Sequence, residues 1–400
     1  MADQNTLNDH PAAEALRRPD FNLPLVFGVA LMAVLRADSL SPAFPGITQA
    51  FGVTAQQTAM LISVFALPSV VISPVLGILA DRWGRRTILI PSLLLFGFAG
   101  MACALARSFP LLLGLHLLQG MGAASLSLLN ITLLADLYPG KRSPTIMGYN
   151  SSVRALGSMI FPAVGGVLAG LAWFYPFLMP VLAIPLALLI WRWLDNPEPK
   201  VSTNFAAYLS DAWQSLRSPA VVRLFLAGGV TFIAMFGAYL GYFPFLLNSK
   251  FQANPLTIGL LVSGRPLVTA LMAAQLGRLS RHWGETRLYQ FSFLLYAIAL
   301  LGIPLAPNLT WMAGLTVILG TAEGLYWPSN FTLLSRLAPL ENRAGFMAFN
   351  DMVMKVGQVL GPLLMGAVAG IGGAPAAFYA AATLTGLMFV YLSIFREAQS

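Results

Sequence analysis

Twelve apolar runs follow one another along this chain of 400 residues, most of them close to the roughly 20 residues a helix needs to cross hydrocarbon. They fall at 22–48, 54–80, 87–106, 109–136, 143–170, 172–194, 219–247, 255–280, 287–306, 309–337, 343–370 and 374–396. Such a run in lipid has to be helical, because its backbone N–H and C=O groups find no partner outside the helix. Only 10% of residues are charged and 57% are hydrophobic, with a mean hydropathy of +0.74, whereas a soluble domain carries roughly a quarter charged. The sequence predicts an all-α polytopic membrane protein with 12 transmembrane helices.

Basic residues orient the spans. Arg17, Arg18, Arg82, Arg85, Arg86, Lys141, Arg142, Arg192, Lys200, Arg217, Arg278, Arg281, Arg287, Arg336, Arg343 and Arg396 share one set of loops and tails, while the opposite set holds Arg107 and Lys250. Cytoplasmic loops carry the excess of Lys and Arg, so both termini are expected in the cytoplasm of a cell whose plasma membrane, a bacterial inner membrane, holds the protein. The net charge of +8 is then a property of these loops and does not predict nucleic-acid binding. Residues 1–21 read as a cytoplasmic tail with a short surface helix near 12–18, and no removable signal peptide is expected. Residues 22–194 form one six-helix bundle and 219–396 another, with a short tail at 397–400. The Pro-rich polar linker 195–218 joins the bundles, and 205–216 in it reads as a surface amphipathic helix.

The two halves repeat at an offset of 200. Gly77, Trp83 and Gly84 return as Gly277, Trp283 and Gly284; Gly120, Asn130 and Pro139 as Gly320, Asn330 and Pro339; Asn150, Gly157, Pro162 and Gly166 as Asn350, Gly357, Pro362 and Gly366. Corresponding cytoplasmic loops match, so the repeat is parallel, about an axis along the membrane normal.

Three motifs carry a family resemblance. Gly77-Ile-Leu-Ala-Asp81-Arg82-Trp-Gly84-Arg85-Arg86 is similar to the loop between the second and third helices of major facilitator superfamily transporters. Gly157-Ser-Met-Ile-Phe-Pro162-Ala-Val-Gly165-Gly166 resembles that family's antiporter motif, with Phe161 replacing a glycine. His116-Leu-Leu-Gln119-Gly120-Met-Gly122-Ala-Ala124 resembles its fourth-helix pattern, with histidine where the family has a proton-coupling arginine. The resemblance runs from Phe21 to Arg396 and is nearest to drug–proton antiporters of the 12-helix efflux type. It implies that Gly77, Asp81, Arg82, Gly84, Arg85 and Arg86 form a conformational latch, with Asp81 meeting the start of the eleventh span near Arg343–Gly345. It also implies that Gly157, Pro162, Gly165 and Gly166 belong to exchange-driven export.

Ionisable groups inside a membrane are costly and mark function. Here they are Arg36, Asp38, His116, Arg154, Arg265, Glu323, Asp351 and Lys355. Asp38, His116 and Glu323 are the candidate proton carriers, and on one continuous helix Arg36 and Asp38 would point to nearly opposite sides. By depth, Arg36, Asp38 and His116 are expected to cluster, although His116 also fits a neutral hydrogen-bonding role. Arg36, Arg154, Tyr239, Arg265, Trp327, Asp351 and Lys355 are the candidate substrate contacts. Asp351 and Lys355 equally fit a self-neutralised i, i+4 pair. Four central cations against three anions favour an anionic or zwitterionic amphiphile.

The expected function is secondary active transport: proton-coupled efflux of a small amphiphilic molecule by alternating access, with Asp38 taking up protons from outside. Proton-coupled uptake and facilitative uniport share the fold, and a non-transporting receptor is the more distant alternative. No phosphate-binding loop, paired catalytic carboxylates or zinc-ligand spacing occurs in the sequence. The expectation is therefore a monomeric non-enzyme that uses no cofactor or metal, with the proton gradient as its driving force. The lone Cys103 permits no internal disulfide.

Overall fold

The computed structural model describes residues 21–35, 37–194, 218–337 and 343–394. The expected tail and linker helices, Arg36, and the side chains of 343–345 lie outside the described residues.

The described chain is helical from end to end. Nine of its helices are each long and apolar enough to cross a membrane. One of these, 349–394, is two spans joined at Gly373, whose φ of 72° and ψ of 179° break the helix. Leu309–Leu337 and a bent pair at the N-terminus, Asn22–Val34 with 38–51, complete the twelve. The two six-helix bundles superimpose the repeat on the fold. Ala55–Trp83 and Pro255–Trp283 are both 29 residues long, and Thr54 and Asn254 cap their N-termini by accepting from Gln57 and Thr257. Gly84 and Gly284 turn the chain with nearly the same backbone, φ 91°, ψ 141° and φ 75°, ψ 146°.

Two spans depart from regular helix. The first is not continuous: it stops at Leu35, where ψ is 83°, and resumes at Ala37–Leu40 and Phe44–Phe51 with a bend of 63°. The expectation of one continuous helix there is corrected accordingly, and the facing of Arg36 relative to Asp38 falls outside the described residues. The seventh carries a π-helical turn over Ile233–Tyr239, the kind of local widening that often sits at functional sites.

The halves meet on the side away from the basic loops. A single apolar core there mixes Phe44, Ile47 and Ile62 of the first half with Tyr242, Phe243 and Leu246 of the second, and Phe44 stacks on Phe245. Toward the side of the basic loops the first half packs a core of its own from Val26, Val29, Leu89, Leu129 and Ile190. Two seams close the opposite side. In one, Gly166 and Gly259 bring the fifth and eighth spans together: a Cβ on Gly166 would lie 2.5 Å from the Pro255 carbonyl oxygen, and one on Gly259 would lie 2.4 Å from that of Pro162. In the other, Gly366 of the eleventh span lies against Gln56 of the second, and Ser63 donates to the Val359 carbonyl at 2.7 Å. Among the described residues, the halves are joined along both seams on the side away from the basic loops.

Candidate functional site: an arginine held between the halves

Spans eight and ten approach closely because Gly320 and Gly324 have no side chains. A Cβ on Gly320 would lie 2.6 Å from the Arg265 carbonyl oxygen, and one on Gly324 would lie 2.7 Å from that of Thr269. This contact sets Glu323 beside Arg265. Arg265 Nη1 donates to both Glu323 oxygens at 2.7 Å, and the Thr269 hydroxyl donates to the same carboxylate at 3.1 Å. From the other half, Asp38 accepts from Arg265 Nη2 at 3.0 Å. The Tyr239 ring faces the guanidinium, its centroid 5.4 Å from Cζ, a cation–π contact.

Arg265 is 8% exposed, Glu323 15% and Asp38 22%, so the cation is enclosed while both acids keep some surface. An ionised group taken from water costs several kcal/mol unless it is paired and hydrogen-bonded. Two carboxylates satisfy that condition for Arg265, and with both acids ionised they leave the cluster one negative charge in excess. In the first half the positions matching Arg265 and Glu323 are Phe65 and Ala123. The repeated scaffold therefore carries the ionic cluster once.

The remaining sequence candidates lie around it or apart from it. Trp327 donates toward Glu323 at 3.4 Å and stacks on Phe331. Asp351 and Lys355 form the expected ion pair at 3.0 Å, with Asp351 63% exposed. Arg154 is half-buried on the fifth span. His116 does not join Asp38. Its Nδ1 shares a hydrogen bond of 2.8 Å with Gln119, and its ring packs against Phe65 and Phe177, so the expected cluster with Asp38 is corrected. Of the four central cations in the inventory, Arg265 and Lys355 are neutralised by neighbouring acids, Arg36 lies outside the described residues, and the Arg265 cluster taken alone has an acidic excess.

The charged turn at 81–86 is stitched to other elements of the first half. Arg85 bridges Asp81 at 3.2 Å and also Asp136, Arg86 donates to the Leu194 carbonyl at 3.2 Å, and Arg82 is exposed. Gly77 lies against the Leu128 side chain. The expected meeting of Asp81 with 343–345 falls on side chains outside the described ones. In the fifth span, Gly157 lies against Leu31 and Val34, Gly165 admits the Ser39 carbonyl, and Pro162 and Gly166 form the outer seam.

What sequence reading missed is the joining of Asp38, Arg265 and Glu323. The available signal was the asymmetry of the repeat, which puts charges at 265 and 323 where the first half is apolar.

Comparison with known proteins agrees with this architecture. The family model for the Major Facilitator Superfamily matches residues 26–251 and 229–399. Multidrug resistance protein 1 of Bacillus subtilis (strain 168) is 24% identical over 359 residues, 88% of this chain and 90% of that protein. Quinolone resistance protein NorA of Staphylococcus aureus (strain MRSA252) is 23% identical over 361 residues, covering 87% and 88%. Among solved structures, the nucleoside transporter NupG superimposes with a TM-score of 0.78 at 14% identity, over 94% of this chain and 99% of that one.

Proposed function

The chain belongs to the Major Facilitator Superfamily and is a multi-pass membrane transporter; on that premise we propose that it exports a small amphiphilic molecule in exchange for protons. One observation carries this reading: a single guanidinium is held by carboxylates from opposite halves. The likeness to a multidrug resistance protein and a quinolone resistance protein supports export over uptake.

Asp38 and Arg265 join the halves while the outer side is closed. A substrate entering from the cytoplasm meets the cluster's excess acidic charge and weakens the bond between Asp38 and Arg265, while Glu323 keeps the guanidinium neutralised. The first half is then released from the second at that point, which frees the bundles to rock and open outward. There a proton from outside neutralises Asp38 and displaces the substrate, the bundles close again on the protonated form, and loss of the proton to the cytoplasm restores the bridge. The excess acidic charge gives the cluster room for one proton, or for one substrate cation in its place. Trp327, beside Glu323, serves as a substrate contact together with Asp351, Lys355 and Arg154, and Asp81 with Arg82 forms the cytoplasmic latch of the opposite state. His116, packed apart, tunes the first span rather than carrying the coupled proton. The protein works as a monomer in the bacterial inner membrane with both termini cytoplasmic.

The test is flux in proteoliposomes under an imposed pH gradient, read with fluorescent cationic, zwitterionic and anionic amphiphiles. The wild type should exchange one class against protons. Asp38→Asn should bind the same amphiphile yet show no response to the gradient. A gradient response unchanged in Asp38→Asn would refute the mechanism.

A further inference from the structure

We propose that a groove between the third and sixth spans, at their cytoplasmic ends, binds the headgroup of an anionic phospholipid. The groove is open on one side, has a volume of about 430 Å³ and is lined by Arg86, Thr87, Ile90, Pro91 and Trp191. Its ends differ in chemistry. At the cytoplasmic end, Arg86 and Thr87 stand in the first turn of Arg85–Ala104, a helix with no acidic residue in that turn and no side-chain cap. The positive end of its dipole lies at this end of the groove, where Asp81 and Asp136 are taken up by Arg85. Arg86 uses one donor on the Leu194 carbonyl, and a guanidinium has five. Arg192, next in sequence to the lining residue Trp191, is an exposed cation in the last turn of the sixth span.

Toward the membrane interior the walls become apolar, with Ile90, Pro91 and Trp191. Pro91 lies inside the helix, where it offers a compact side chain and no N–H. Trp191 is 63% exposed and Trp193 49%, a position typical of the interfacial belt where indoles meet headgroups. A cationic mouth above an apolar cleft, open sideways to lipid, matches a phosphodiester with an acyl chain below it. Free phosphate would use only the mouth.

The repeat supplies an internal contrast. In the second half the positions of Arg85, Arg86, Thr87 and Pro91 are held by Glu285, Thr286, Arg287 and Phe291. Glu285 puts an acid in the first turn and pairs with Arg336 at 2.8 Å, the charge-swapped image of the Arg85–Asp136 pair. Phe291 is 40% exposed where the first half has its compact proline, so the contrast between the halves lies in the acid of the first turn and in the cleft.

The test is native mass spectrometry of the full chain released from nanodiscs containing equal phosphatidylglycerol and phosphatidylcholine, with and without inorganic phosphate. The wild type should retain phosphatidylglycerol in preference, by about fivefold for each arginine engaged, and phosphate should not displace it. Thr87→Glu puts a carboxylate in the mouth where the helix dipole tolerates it, so the fold should melt no lower while the preference disappears. Ile90→Trp should fill the cleft and lower retention of both lipids. The matched change Arg287→Glu in the second half should leave retention as it is. Equal retention of the two lipids by the wild type, displacement by phosphate, or a preference surviving Thr87→Glu would each overturn the assignment.

Discussion

Gly166 and Gly259 press backbone against backbone across the divide between the two halves, with Cβ positions that would fall 2.5 Å and 2.4 Å from carbonyl oxygens of the opposing span. The antiporter-like motif of the fifth span is thus the surface on which the outer side closes. Its small residues are needed because the partner there is backbone, which has no rotamer with which to move aside.

Gly259→Ala should hold that seam apart. Overpacking costs about 1–3 kcal/mol, enough to move a balanced equilibrium roughly tenfold toward the open-outside form. Spin labels at Leu171→Cys and Gln252→Cys, in a Cys103→Ser background, should report a longer outer distance by pulsed electron resonance. An unchanged distance distribution would show that the seam does not limit closure.

Arg265→Gln should be among the most damaging single changes in the molecule. It leaves two carboxylates together in a largely enclosed site, and breaking a buried pair costs about 3–5 kcal/mol. The triple variant with Asp38→Asn and Glu323→Gln should recover much of that loss, since it removes the stranded charges. Melting temperatures in detergent decide the matter; a triple variant as unstable as the single one would mean that the arginine acts by packing.

Glu323→Gln and Asp38→Asn should separate in their effects. Glu323 accepts from Arg265, Thr269 and, at longer range, Trp327, all within its own half, so its loss should lower the melting temperature more. Asp38 is the contact between halves, so its loss should leave stability nearer wild type and alter proton-driven flux. Parallel melting and flux assays would expose the reverse order.

Gly84→Ala should destabilise the cytoplasmic turn by about 1–3 kcal/mol, because φ 91° with ψ 141° is backbone that only glycine adopts without strain. Gly284→Ala should cost a similar amount at φ 75°. Limited proteolysis at the two turns would measure both, and a tolerant Gly84→Ala would place the turn's geometry under looser control than its dihedrals imply.

Much of this architecture is legible in the sequence because lipid enforces it. Spans announce themselves by length and hydropathy, and the offset of 200 survives in the folded backbone down to Gly84 and Gly284. The break after Val34 was not legible, since the residues leading into it are as apolar as the helix they end. Nor was the π turn at Ile233–Tyr239, which changes hydrogen-bond register without a composition of its own. The ionic cluster was legible as three separate charges. Joining Asp38 to Arg265 depends on the rotation and tilt of spans 227 positions apart, and hydropathy fixes neither.

The two outer seams stand in the same relation as the halves themselves. Gly166 lies against Leu256 and Gly366 against Gln56, each pair the other's image under the repeat. A tilt of either bundle about an axis parallel to the line joining these seams would therefore unzip both edges together, as a clamshell opens along its whole lip.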